Sequence, residues 1–167
     1  MCNPAAALAA GQTAVSVMGT MQQGRAAAAA QRYDADIADE NARRAGETAN
    51  DALRRGETAA FDHYREVRSL MGTQEAQAAA NGLDPTSGSA GYVISDSALL
   101  GHIDASRIRE NARREALGYD YQASGYRADA TGKRRAARNT QIATRYAVAG
   151  TLLSGASQTY SAATKTR

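Results

Sequence analysis

Two prolines divide this 167-residue chain, and their positions constrain its fold more than any other feature. Pro4 follows Asn3, and Asn suits an N-cap while Pro suits the first helical position. No further proline occurs from Ala5 to Ala80. The run Ala80-Asn81-Gly82-Leu83-Asp84-Pro85 then reads as a helix stop. Gly82 takes the left-handed conformation, Leu83 packs back and Pro85 blocks continuation. Residues 82–95, GLDPTSGSAGYVIS, read as the connecting loop. Ser95 or Asp96 caps a second helix, expected to run without proline to about Ala163. Gly46, Gly56, Gly118, Gly125 and Gly132 each weaken such helices by up to ~1 kcal/mol, and mark breaks or close helix contacts.

Composition says what kind of helical protein this is. Alanine supplies 39 residues, whereas Leu, Ile, Val and Phe together supply 20, too few for a thick globular core. β-branched and aromatic residues are scarce, which disfavours a sheet. The expected fold is all-α: a long antiparallel helical hairpin, Ala-rich, that finds further burial by assembling as an oligomer. Cys2 is the lone cysteine and His63 and His102 stand far apart, so neither a disulfide framework nor a zinc site is expected, and no cofactor. No basic stretch precedes an apolar run, so no signal peptide is expected. No arrangement of Ser, His and Asp or of paired carboxylates suggests an enzyme. The loop Gly82–Ser89 lacks the lysine and spacing of a phosphate loop.

Periodicity supports the helices. Small or apolar residues recur from Ala38 through Ala42, Ala45, Ala49, Ala52, Gly56, Ala60, His63 and Val67 to Met71, near 3.67 residues per step. Ile108, Ala112, Ala116, Tyr119, Ala123, Tyr126 and Ala130 repeat this in the second arm, the tyrosines reading as the bulky part of a thin core. Arg32, Arg43, Arg54 and Arg65 recur every eleven residues, the spacing of a straight or slightly right-handed seam. The string Glu40-Asn41-Ala42-Arg43-Arg44 returns as Glu110-Asn111-Ala112-Arg113-Arg114, through duplication or convergence on helix-favouring residues. With the turn between Ala80 and Asp96, facing residue numbers sum to about 176. Asp34, Asp36, Asp39 and Glu40 then lie near Lys133, Arg134, Arg135 and Arg138. Residues 25–75 carry net charge −2 and residues 96–146 net +4, so the arms attract, each exposed pair contributing ~0–1 kcal/mol.

Three parts follow: residues 1–81, a first arm with an uncharged segment at 2–24; the loop 82–95; and residues 96–167, a second arm with an uncharged segment at 146–164. Both uncharged segments fall at the same end of a hairpin. Their larger groups, Leu8, Val15, Val17, Met18, Met21, Val148, Leu152 and Leu153, form either a membrane-active tip or a surface for partner subunits. Gln12, Thr13, Ser16, Thr20, Gln22 and Gln23 are too polar for a lone span but suit an oligomeric channel with one wet face. Lys133, Arg134, Arg135 and Arg138 are candidate phosphate ligands for nucleic acid, although no aromatic interleaves them and the acidic stretch near Asp36 can neutralise them.

Met1-Cys2-Asn3-Pro4-Ala5 with its uncharged helix, Asn81-Gly82-Leu83, Thr86-Ser87-Gly88-Ser89, Leu99-Leu100, Asp104-Ala105 and Ile108 through Tyr119 together carry a likeness. The chain resembles the smallest internal virion protein of T7-like podophages, the internal core or ejection protein, most closely over residues 81–126. That resemblance implies a non-enzymatic protein stored in the virion interior near the portal, beside larger internal virion proteins. It also implies ejection into the host envelope and assembly at the outer membrane as part of a conduit, with genomic DNA passing through. The competing reading is a helical interaction protein without membrane activity: a structural or DNA-associated virion component, or a stress-type protein with eleven-residue repeats such as Ala45-Gly46-Glu47-Thr48-Ala49 and Gly56-Glu57-Thr58-Ala59.

Overall fold

The computed structural model describes residues 4–164, with side chains described for 7–161 except Ala9, and for Thr164. Two helices, α1 (Pro4–Ala80) and α2 (Gly88–Thr164), pack against each other as a hairpin, with no strand among the described residues. Asn3, the expected N-cap, and Cys2 lie outside the described residues. Alanine and straight-chain residues lose little freedom in a helix, so both elements persist through their interior glycines.

The stop of α1 follows the sequence. Leu83 N donates to Ala78 O at 2.9 Å and Gly82 N to Ala79 O at 3.0 Å, with Gly82 at φ +73°, a paired closure that satisfies the last carbonyls. Leu83 itself stays exposed instead of packing back. The start of α2 differs from expectation. The connection is Asn81–Ser87, not 82–95, and α2 begins about two turns before Ser95 and Asp96. The Asp84 carboxylate is the reason. It accepts hydrogen bonds from Thr86 N at 2.9 Å, Thr86 Oγ1 at 2.7 Å and Ser87 Oγ at 2.8 Å. This turn sets Ser87, whose carbonyl accepts the Gly91 N–H at 3.2 Å, to open the helix through a run that reads as loop. The shorter loop changes the register. Gly24 faces Thr144, Gly56 faces Ala112, Gly101 faces Val67 and Gly155 faces Thr13, so facing numbers sum to 168 rather than 176.

Two compact units cut across both helices: a loop unit, Ala42–Gly125, and an end unit of Met1–Asn41 with Tyr126–Arg167. In the loop unit Ala42, Ala45, Ala49, Ala52 and Ala60 are buried on α1, and Ala105, Ala112, Ala116 and Ala123 on α2, with Ile94 the one larger buried side chain. Gly56–Val67–Ala78 and Gly101–Ala112–Ala123 keep the eleven-residue spacing on this seam. Arg55–Glu115 and Arg109–Glu57, each at 2.9 Å, tie the two helices along its rim.

In the end unit Ala28 and Ala35 on α1, and Ala130 and Ala137 on α2, are buried seven apart, while Thr13, Gly24 and Ala35, and Thr144 and Gly155, keep the eleven-residue spacing. Thr140 Oγ1 donates to Gln31 Oε1 across the seam at 3.1 Å. A Cβ on Gly24 or Gly155 would enter the side chain of Thr144 or Thr13, so the uncharged segments touch through glycine. The repeated strings place Ala35 and Ala105, and Ala42 and Ala112, at buried positions in their own units. Of the glycines expected to break helices or make close contacts, Gly56 is a close contact, while Gly46, Gly118, Gly125 and Gly132 face open space.

Of the two tyrosines expected in the thin core, Tyr119 packs half-buried against Ala49, Ala52 and Ala116, whereas Tyr126 is exposed. Tyr33, Tyr92, Tyr121, Tyr146 and Tyr160 are all more than two-thirds exposed, and only Tyr64 and Tyr119 are half-buried. An Ala- and Gly-lined seam brings the two helices too close to admit rings between them, so Tyr119 packs only at its edge and most of the other rings turn outward.

Candidate functional site

The end unit holds every residue singled out above as a candidate site. Along the seam, Thr13, Val17, Thr20 and Gly24 on α1 are half-buried, as are Thr144, Val148 and Thr151 on α2, and Gly155 is buried. Leu8, Val15, Met18 and Met21 on α1, and Leu152 and Leu153 on α2, stay exposed. Ala7, Leu8, Gly11, Gln12, Val15 and Ser16 line a shallow, mainly apolar groove on the outer side of α1. The eight candidate apolar residues therefore divide: two valines serve the hairpin's own packing and six remain available to something else.

Hydroxyls at these ends are satisfied within their own helices. Ser16 bonds to Gln12 O at 3.0 Å and Thr20 to Ser16 O at 2.9 Å. Thr144, Thr151 and Thr159 bond likewise to carbonyls four residues back, and Ser154, Ser157 and Ser161 to carbonyls three back. This lowers the cost of placing the segments in an apolar setting, because a hydroxyl already bonded needs no water. Still, no helix among the described residues is long and apolar enough to cross a membrane.

The basic cluster is only half free. Lys133 pairs with Asp129 on its own helix at 2.9 Å. Arg134 reaches across to Asp39 and, at 3.4 Å, to Asp36. These bonds to Asp129 and Asp39 hold both cations' pKa values above their ordinary range. Arg135 and Arg138 are exposed and make no ion pair among the described residues. Arg138 lines an open groove with Arg32, Asp36 and Arg134. The arrangement can offer two cations to an external anion, while the other two set the pairing of α1 with α2.

The loop unit contains one polar cluster that sequence reasoning passed over. Tyr64 Oη lies 3.1 Å from His102 Nδ1, and the Arg109 guanidinium sits 5.5 Å from the Tyr64 ring centre. Glu57 anchors that arginine and raises its pKa further. His63 Nε2 is buried without a partner. No group of three or more metal-ligating side chains comes together among the described residues.

Sequence reasoning also missed Ile142, Tyr146 and Tyr160, which lie outward on α2 beside Leu153. Their spacing of four, seven and seven was a readable signal, since such steps keep side chains on one helix face. No curated protein and no solved structure matches this chain. The family of T7 virus internal virion protein gp14 matches residues 1–167, and the chain belongs to that family.

Proposed function

We propose that this internal virion protein is an ejection protein. It is stored near the portal with the larger internal virion proteins, leaves the capsid with the DNA, and assembles in the host outer membrane as part of a conduit. The observation that carries this reading is the construction of the end unit. Two uncharged segments are packed together by glycine–threonine contacts, their hydroxyls are bonded internally, and their large apolar groups point away from the hairpin. No helix among the described residues is apolar enough to cross alone, so insertion requires several copies enclosing a wet interior. The Ala- and Gly-lined seam supports delivery: a hairpin that buries mainly single methyl groups is opened for passage through a narrow tail at little cost.

Vesicles loaded with a quenched dye test the proposal. The full-length chain is expected to release the dye, and a variant lacking residues 5–24 is expected not to. Equal release by both overturns the reading. Fractionation of infected-cell envelopes, read by mass spectrometry, should place the protein in the outer membrane; recovery only with DNA-bound debris would favour the second reading. That second reading, a DNA-associated virion component, is favoured by the unpaired Arg135 and Arg138. It predicts that Arg135→Ala with Arg138→Ala weakens DNA binding and flattens its salt dependence.

A further inference from the structure

The end unit carries a second apolar stripe on each helix, opposite the seam. On α1 the seam runs Thr13, Gly24, Gln31 and Ala35, while Leu8, Val15, Met18 and Tyr33 lie on the outward side. On α2 the seam runs Ala137, Thr144 and Gly155, while Ile142, Tyr146, Leu153 and Tyr160 lie outward. Val15 and Leu153 show the extent: they are 72% and 74% exposed, although each is among the larger apolar residues of the chain. Large apolar side chains left open along one face in this way mark interaction surfaces.

We infer that the outer stripe of α1 packs against the outer stripe of α2 of a second copy, level with it and in the hairpin's own register. The occupant is identified by three features. First, the stripes match in height. With facing numbers summing to 168, as they do across the seam, Leu8 meets Tyr160 and Val15 meets Leu153. Met18 then meets Gly150 and Ala26 meets Ile142, large opposite small, while Tyr146 meets the Gln22 side chain. Second, the sign of charge selects α1 against α2. In the end unit residues 25–41 carry two basic and four acidic side chains, and residues 126–145 carry six basic and one acidic. Asp36, Asp39 and Arg134 are already paired across the seam and Lys133 with Asp129, so the remaining charge acts by exclusion: α2 on α2 places cations together, and α1 on α2 does not. Third, the stripe ends on a complementary pair. Arg135, opposite the seam and without an ion pair, comes level with the exposed Tyr33 ring, a cation–π geometry.

A contact between two different faces, repeated by each copy, is heterologous. When neighbours are level, with no shift along the helices, a constant rotation that divides 360° closes it into a ring. This inference deepens the oligomer proposed above and specifies its interface.

Disulfide trapping in full-length protein tests it, in a Cys2→Ser background. Val15→Cys with Leu153→Cys in one chain is expected to give a ladder of dimers, trimers and higher species on oxidation, in buffer or in phosphatidylglycerol-containing vesicles. The two cysteines lie on opposite outer faces of one hairpin and do not bridge within it. Each single variant should stay monomeric, and a mixture of the two singles should stop at dimers. Val15→Cys with Tyr146→Cys, seven residues out of register, should give at least tenfold less product. Cross-linking by either single variant, or none by the double variant in both media, overturns the interface. Dye release measured on the same vesicles separates the two proposals. Release without the ladder sinks the interface and leaves the conduit; a ladder without release does the reverse.

Discussion

At the scale of the residue, glycine position decides the sign of a substitution. A Cβ at Gly101 would sit 2.6 Å and 2.7 Å from the two Val67 methyls, and valine is stiff about χ1, so it cannot move aside. Gly101→Ala is expected to destabilise by about 1–3 kcal/mol, the range for overpacking. Gly118 meets nothing within 4 Å, so Gly118→Ala is expected to stabilise by up to ~1 kcal/mol. Thermal melts followed by circular dichroism check both, and equal shifts for the two variants would contradict the seam described here. The same closeness explains why, of the two tyrosines at seam-like spacing, Tyr119 packs only half-buried and Tyr126 is exposed. Spacing tells which residues share a face, but whether a face admits a ring depends on its partner's side chains. With Ala38 and Ala130 both buried in one cluster, the partner offers no room for one.

At the scale of the element, the two ends of the connection were unequally legible. The stop of α1 was readable because Gly82 and Pro85 have single conformational meanings. The start of α2 was not. Ser87-Gly88-Ser89-Ala90-Gly91 has loop composition, and the carboxylate that opens the helix is three residues earlier, at Asp84. Bonds from the Thr86 hydroxyl and amide and the Ser87 hydroxyl lower the Asp84 pKa. A depressed folded-state pKa means that this contribution is present above the ordinary value of 3.8 and is lost as pH falls through the lower folded value. Amide exchange at residues 88–94 is therefore expected to accelerate below about pH 4 more than at mid-helix positions. Asp84→Ala should accelerate the same amides at neutral pH, because the turn that sets the helix start is lost. Unchanged exchange in that variant would mean α2 starts at Gly88 without help from Asp84. The register error of eight has the same origin, since moving a helix start moves every pairing along the hairpin. Charge pairing survived it because the acidic and basic groups are clustered: Arg134 still finds Asp36 and Asp39.

At the scale of the whole molecule, burial is scarce and its distribution is informative. Among the described residues the core consists of fifteen alanines and Ile94, and no large side chain is fully buried. Each buried methyl contributes roughly 0.8 kcal/mol at most, which leaves a lone hairpin little margin over the entropy of ordering two long helices. Meanwhile Leu8, Val15, Met18, Leu153 and Tyr160 wait outside with most of their surface in water. The composition alone disclosed the first half of this imbalance. The second half needed the structure, because only the seam's position shows which residues lie opposite it. A molecule arranged this way gains stability by association, and association is governed by mass action. The midpoint of thermal unfolding is therefore expected to rise with protein concentration across a hundredfold range, by several degrees if the outer stripes are covered in the assembly. Val15→Glu with Leu153→Glu places charge on both stripes while leaving the seam untouched, and should remove that dependence while the helices still form at low temperature. A midpoint independent of concentration in the unaltered protein would show that the hairpin is stable alone and that its exposed stripes serve something other than its own copies.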